Sequence, residues 1–146
     1  MPAERSIREV LGYARIVRAS PTVSVRDAAR MMTAARCGSI LVMAGERLLG
    51  IFTERDLLTR VVAVGRDPQS TTLNEVMTAE PDTIGIQASV KDAVRMMDEF
   101  GYRHLPVVER GRVVGVVSLR DMPTAELLAM DMELEAPRKV LVAGMR

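Results

Sequence analysis

Two seven-residue stretches carry the most chemical information in this chain. They are Gly50-Ile51-Phe52-Thr53-Glu54-Arg55-Asp56 and Gly115-Val116-Val117-Ser118-Leu119-Arg120-Asp121. Both read glycine, an apolar residue, a variable one, a hydroxyl residue and, three positions on, an aspartate. Glycine in a strand lets another group approach the backbone closely. A hydroxyl at a strand-to-helix junction stands beside unpaired N–H groups, which favour an anion. An aspartate in the following helical turn can accept from both hydroxyls of a ribose. The set suits a ribose and a phosphate. The same Ser/Thr-x-x-Asp spacing also makes a helix-capping box, and for one copy alone the cap is the simpler reading. The recurrence of the whole pattern, with Gly50 and Gly115 each three residues before the hydroxyl, favours a nucleotide.

The other reactive residue types are sparse. His104 follows Arg103 at the start of an apolar run and reads equally as a partly buried, hydrogen-bonded histidine. Arg55 and Arg120 are candidates for phosphate, and equally for solvated ion pairs or dimer contacts. Met31-Met32 and Met96-Met97 are core filling rather than a metal cluster. Cys37 is a structural thiol, since Arg36 is the sole basic group beside it in sequence. No G-x-x-x-x-G-K-[ST] occurs, and the lone histidine and lone cysteine lie 67 residues apart. A nucleotide-processing enzyme needs a phosphate loop, a carboxylate-held metal or a nucleophile–base pair. The expectation is therefore a non-enzyme, with no catalytic residue and no metal site.

The elements that position these residues come from a duplication. Residues 24–56 and 89–121 align without a gap at a shift of 65, with twelve identities over 33 positions. An upstream echo sets Ser6-Ile7-Arg8-Glu9-Val10 against Thr72-Leu73-Asn74-Glu75-Val76 at a shift of 66. Each copy opens with a capping-box pattern, Ser6-x-x-Glu9 or Thr72-x-x-Glu75, and a short helix. Short extended pieces are expected near 16–19 and 82–86. Amphipathic helices follow, capped by Ser24 and Ser89, with Val25, Ala28 and Met32 and their counterparts Val90, Ala93 and Met97 on the apolar face. Strands are expected over 39–43 and 48–53, then over 104–109 and 113–118, each pair joined by a glycine-containing loop. A second helix closes each copy, from Glu54 to about Val64 and from Leu119 onward. The division is repeat 1 over 6–65, a linker over 66–71, repeat 2 over 72–130 and a tail over 131–146. The tail region carries a helix-like stretch over 125–135 and an apolar Val140-Leu141-Val142. Each half is too small to be robust alone, so the two sheets are expected to pack into one unit.

Composition narrows the class. The chain has 146 residues, 48% of them hydrophobic, and a formal net charge of +1. The balanced charge argues against a polyanion-binding surface, and 3% aromatics leave little for stacking nucleic acid bases. A single cysteine excludes an internal disulfide framework. No apolar stretch approaches the roughly 20 residues of a membrane span, and the N-terminus lacks a secretory pattern. The expectation is a soluble, cytoplasmic protein with no membrane partner.

On these motifs, and on Arg103-His104-Leu105-Pro106-Val107-Val108, the chain resembles a tandem pair of CBS domains over residues 6–125. The resemblance implies an α+β fold, two β-α-β-β-α repeats packed about a pseudo-twofold axis with two clefts between them. It implies a regulatory or sensor module that requires no cofactor and binds adenosine-containing ligands such as AMP, ADP or ATP, with NAD or S-adenosylmethionine as further candidates. It assigns ribose to Asp56 and Asp121, and phosphate to Thr53 and Ser118. It turns Arg103 and His104 into the central cleft towards phosphates. Repeat 1 has Gly38 and Ser39 there, so the two sites are expected to be unequal, with Arg103 carrying most of the phosphate contact. It also implies a homodimer of pairs, with output to itself or to a separate effector protein. A ligand-free scaffold is the competing expectation.

Overall fold

The computed structural model describes residues 5–11 and 16–122. The expected helical stretch over 125–135 and the apolar segment 140–142 lie outside them. Two small sheets face each other, and the second half repeats the element order of the first with one strand added. The first half contains α1 (Ile7–Leu11), β1 (Arg18–Ala19), α2 (Val25–Ala35), β2 (Ser39–Ala44), β3 (Arg47–Thr53) and α3 (Glu54–Asp56). Helix α3 runs on as a π-helical turn over Leu57–Val62. The second half contains α4 (Leu73–Val76), β4 (Thr78–Ala79), β5 (Ile84–Gly85), α5 (Val90–Phe100), β6 (His104–Glu109), β7 (Arg112–Ser118) and a 3₁₀ turn over Leu119–Asp121.

The helices begin where the caps dictate. Ser24 Oγ accepts from the Asp27 N–H at 3.1 Å and Ser89 Oγ from the Asp92 N–H at 3.0 Å, each satisfying an orphan donor of the first turn. Both helices end on a left-handed residue, Gly101 in α5 (φ 79°) but Arg36 in α2 (φ 56°). Glycine adopts that conformation freely, and arginine does so at a cost. Strands β2–β3 and β6–β7 are antiparallel hairpins in the same register, and β1 and β5 add in parallel beside β2 and β6. The first sheet gains a fourth strand that the sequence pattern does not signal: β4, after the linker, pairs with β3 through Gly50 and Ala79. The extended pieces are shorter than expected, two residues each in β1 and β5.

Strand β2 is buried on both faces, which is why Ile40, Leu41, Val42 and Met43 form a continuous apolar run. Ile40 and Val42 join Val25, Ala28, Met32 and Phe52 beneath the first sheet. Leu41, Met43 and Ile51 point the other way and meet Val113 and Val116 of the second repeat. That apolar layer joins the halves, as their small size requires.

The opening helices are exchanged. Ile7, fully buried, sits in the core of the second repeat with Val90, Leu105 and Val117. Its N–H donates to the Ala88 carbonyl at 2.8 Å. Leu73 and Val76 of α4 sit in the core of the first repeat, and the Leu73 N–H donates to the Val23 carbonyl at 2.9 Å. The backbone bridges Ser6–Ser89 and Ser24–Thr72 are equivalents of each other across the pseudo-twofold axis. The linker folds onto α2, where Thr71 and Pro68 carbonyls accept from Val25 and Arg26. Among the described residues no helix is long and apolar enough to cross a membrane.

Candidate functional site

Two clefts open where the repeats meet, and the 65-residue shift maps one onto the other. The first encloses about 530 Å³ between the β7 end, Ser118 to Asp121, and the α2–β2 junction, Arg36 to Ser39. The second encloses about 390 Å³ between the β3 end, Thr53 to Asp56, and the α5–β6 junction, Phe100 to His104. Each cleft therefore joins the hydroxyl–aspartate motif of one repeat to the helix–strand corner of the other. Both volumes fall in the range of small-molecule sites. Glu54, Arg103 and His104 line both clefts and form the wall between them.

The paired acids hold capping boxes at the cleft mouths. Asp56 Oδ2 accepts from the Thr53 N–H at 3.0 Å and the Thr53 hydroxyl at 3.1 Å. Asp121 Oδ2 accepts from the Ser118 N–H at 3.1 Å and the Ser118 hydroxyl at 2.9 Å. The two acids differ beyond that. Asp56 is buried and its Oδ1 lies 3.6 Å from Arg60 Nε. Arg60 is itself anchored by the Val76 and Met77 carbonyls at 3.1 and 2.9 Å. Asp121 is exposed, and the position equivalent to Arg60 is Ala125, which carries no charge.

The wall between the clefts is polar but nearly neutral. Burial holds the His104 imidazole below its ordinary value, although Glu54 and Asp121 pull the other way. A Cβ at Gly38 would lie 3.0 Å from His104 Nε2 and 3.2 Å from Glu54 Oε1, so glycine there leaves room for both side chains to converge. In the second cleft the Tyr102 hydroxyl donates to Asp82 Oδ2 at 3.0 Å, and burial together with that bond pushes the phenol up to about 12. Phe100 stacks on Tyr102 with ring centroids 5.8 Å apart.

Thr53, Asp56 and Arg55 thus line one cleft, Ser118, Asp121 and Arg120 the other, and Arg103 and His104 both. Arg55 is already engaged, donating to the Gly101 carbonyl of the second repeat at 3.1 Å. The close approaches at the two glycines are made by protein. A Cβ at Gly50 would lie 2.8 Å from the Thr78 carbonyl and overlap Met77, and one at Gly115 would lie 2.7 Å from Leu11 Cδ1. Neither glycine lines a cleft, so each acts by letting β4 or α1 pack. Sequence reasoning passed over Glu54, Arg36, Tyr102 and Asp82 as lining residues. The signal for Arg36 and Tyr102 was present, since both fall in the helix–strand corner that the duplication aligns. Cys37 lines the first cleft, half-buried, with Sγ 3.5 Å from the Ala35 carbonyl. Among the described residues no group of three or more His, Cys, Asp or Glu is arranged to hold a metal ion. The arrangement brings together hydrogen-bonding groups suited to a sugar and an anion, with a few apolar side chains such as Val17, Val116 and Leu119 beside them.

Comparison with known proteins places the fold in a family. A family model described as CBS domain matches residues 7–63 and 73–125. CBS domain-containing protein YhcV of Bacillus subtilis is 33% identical over 113 residues, covering 77% of this chain and 80% of YhcV. CBS domain-containing protein CBSCBSPB2 of Arabidopsis thaliana is 33% identical over 117 residues, 80% of this chain, and the chain spans only 22% of that protein's length. Both names describe a domain and no enzymatic activity. The solved structure of CBS domain protein PAE2072 from Pyrobaculum aerophilum, complexed with AMP, superposes with a TM-score of 0.76 at 27% identity, over 87% of this chain and 98% of that one.

Proposed function

The chain belongs to the CBS domain family, and on that premise we propose that it is a regulatory module that binds adenosine-containing ligands, AMP, ADP or ATP among them, in its two inter-repeat clefts. The observation that carries this reading is the pairing itself: each cleft sets a hydroxyl–aspartate motif from one repeat opposite the corner of the other. A ligand spanning that gap touches both halves, so it favours whichever relative packing fits it best, by no more than its differential affinity. The AMP bound to the Pyrobaculum relative supports the ligand class. In this reading Asp121 holds ribose through the oxygen not used by its cap, a carboxylate having room for about four acceptor contacts. Ser118 and Arg103 meet the phosphate. In the second cleft Asp56 holds ribose in the same way, more weakly because Arg60 already holds it, with Thr53 beside it. Output passes to a second copy in a homodimer of pairs or to a separate effector in the cytoplasm.

One observation favours the scaffold reading: both carboxylates close capping boxes on their own amides. A thermal-shift and calorimetric panel of AMP, ADP, ATP and NAD separates the two. A ligand at 100 times its dissociation constant adds about 2.7 kcal/mol of stability. No shift and no heat with any member leaves the duplicated scaffold.

A further inference from the structure

We infer, resting on the reading of both clefts as adenosine sites, that the clefts select opposite ligand charge: the Asp121 cleft takes a nucleotide phosphate, and the Asp56 cleft takes an adenosine compound uncharged or cationic at its 5′ end. The first cleft is lined by Arg36, Arg103 and Arg120 against Glu54 and Asp121. The second is lined by Arg55 and Arg103 against Glu54, Asp56, Glu80 and Asp82. Counting Arg60 behind Asp56 still leaves the acids in excess there. The Arg55 guanidinium already donates to the Gly101 carbonyl, which leaves fewer of its N–H groups for a phosphate. His104 adds no charge near neutral pH, because burial favours its neutral form. Arg103 faces both clefts but serves one phosphate at a time. A phosphate in the first cleft therefore leaves the second with an acidic surround, lined also by the Phe100–Tyr102 pair, aromatic rings that suit a cation better than an anion. Sequence duplication hides this difference: Arg36 of the first cleft aligns with Gly101, and Asp82 of the second is the counterpart of Val17.

Three compounds with the same base and sugar test it: AMP, adenosine and 5′-amino-5′-deoxyadenosine, titrated calorimetrically at low salt near neutral pH. The expected result is one AMP per chain, weakened by about tenfold or more in Asp121→Ala, and a second site that accepts adenosine in AMP-saturated protein. The amine binds that second site about tenfold more tightly than adenosine, the order expected for one unit charge at a partly solvated site. Glu80→Gln with Asp82→Asn, which keeps an acceptor for Tyr102, cancels the preference and admits a second AMP. Two equal AMP sites in the natural chain, or no adenosine uptake after AMP, overturns the inference while leaving the clefts as ligand sites. No binding of any of the three removes the underlying reading as well.

Discussion

Replacing Asp121 by alanine separates two jobs held by one carboxylate. As a cap, its Oδ2 accepts from the Ser118 N–H and hydroxyl at 3.1 and 2.9 Å, on an exposed 3₁₀ turn. Losing a cap of this kind costs about 1 kcal/mol of stability. As a ribose acceptor it makes charge-assisted bonds, whose loss costs about 1.5–3 kcal/mol of binding. At about 1.4 kcal/mol per tenfold, that is roughly a 10- to 150-fold weaker AMP complex. Urea denaturation of Asp121→Ala without ligand reads the first quantity, and titration calorimetry with AMP reads the second. Asp56→Ala is the internal comparison. Its carboxylate is buried and faces Arg60, so its removal is expected to cost more stability than Asp121→Ala and less AMP affinity. AMP affinity unchanged within about twofold in Asp121→Ala, alongside the loss of stability, would show that the residue is a cap and nothing more.

The remaining predictions concern packing, backbone and pH. Gly50→Ala is expected to cost more than Gly115→Ala in chemical denaturation, within the roughly 1–3 kcal/mol typical of overpacking. At Gly50 the added methyl meets the Thr78 backbone carbonyl, whereas at Gly115 it meets the movable end of Leu11. Ile7→Ala is expected to cost about 2–5 kcal/mol. Amide exchange should speed up first in the second repeat, whose core Ile7 fills, and faster exchange in α2 instead would contradict the exchanged arrangement. Arg36→Gly relieves a left-handed arginine and should raise the melting temperature while weakening AMP binding, since Arg36 lines the first cleft. Burial depresses the His104 imidazole, so the unfolded chain takes up this proton more readily than the folded one. The stability contribution of neutral His104 is present above the unfolded value of about 6.5 and is lost as pH falls towards the folded value. His104→Gln should flatten that part of a stability–pH curve.

The helices, hairpins and caps of this protein are local matters, and the sequence settles them. Ser24 and Ser89 cap helices because their hydroxyls reach an N–H three residues on. Strands β2 and β3 alternate or run apolar according to the faces they bury, and the 65-residue repeat announces that both halves do the same. Thr53, Asp56, Ser118 and Asp121 were legible for the same reason, as one motif written twice. Long-range packing is not written in any window of the chain. Nothing beside Ile7 says that it fills the core of the other repeat, nor does anything beside Gly50 say that Met77 and Thr78 will lie against it. The unlike charge of the clefts is of that kind too. Arg36 and Arg120, or Arg55 and Asp82, stand far apart in sequence and come to line one cleft only when the two sheets pack through Leu41, Ile51 and Val116.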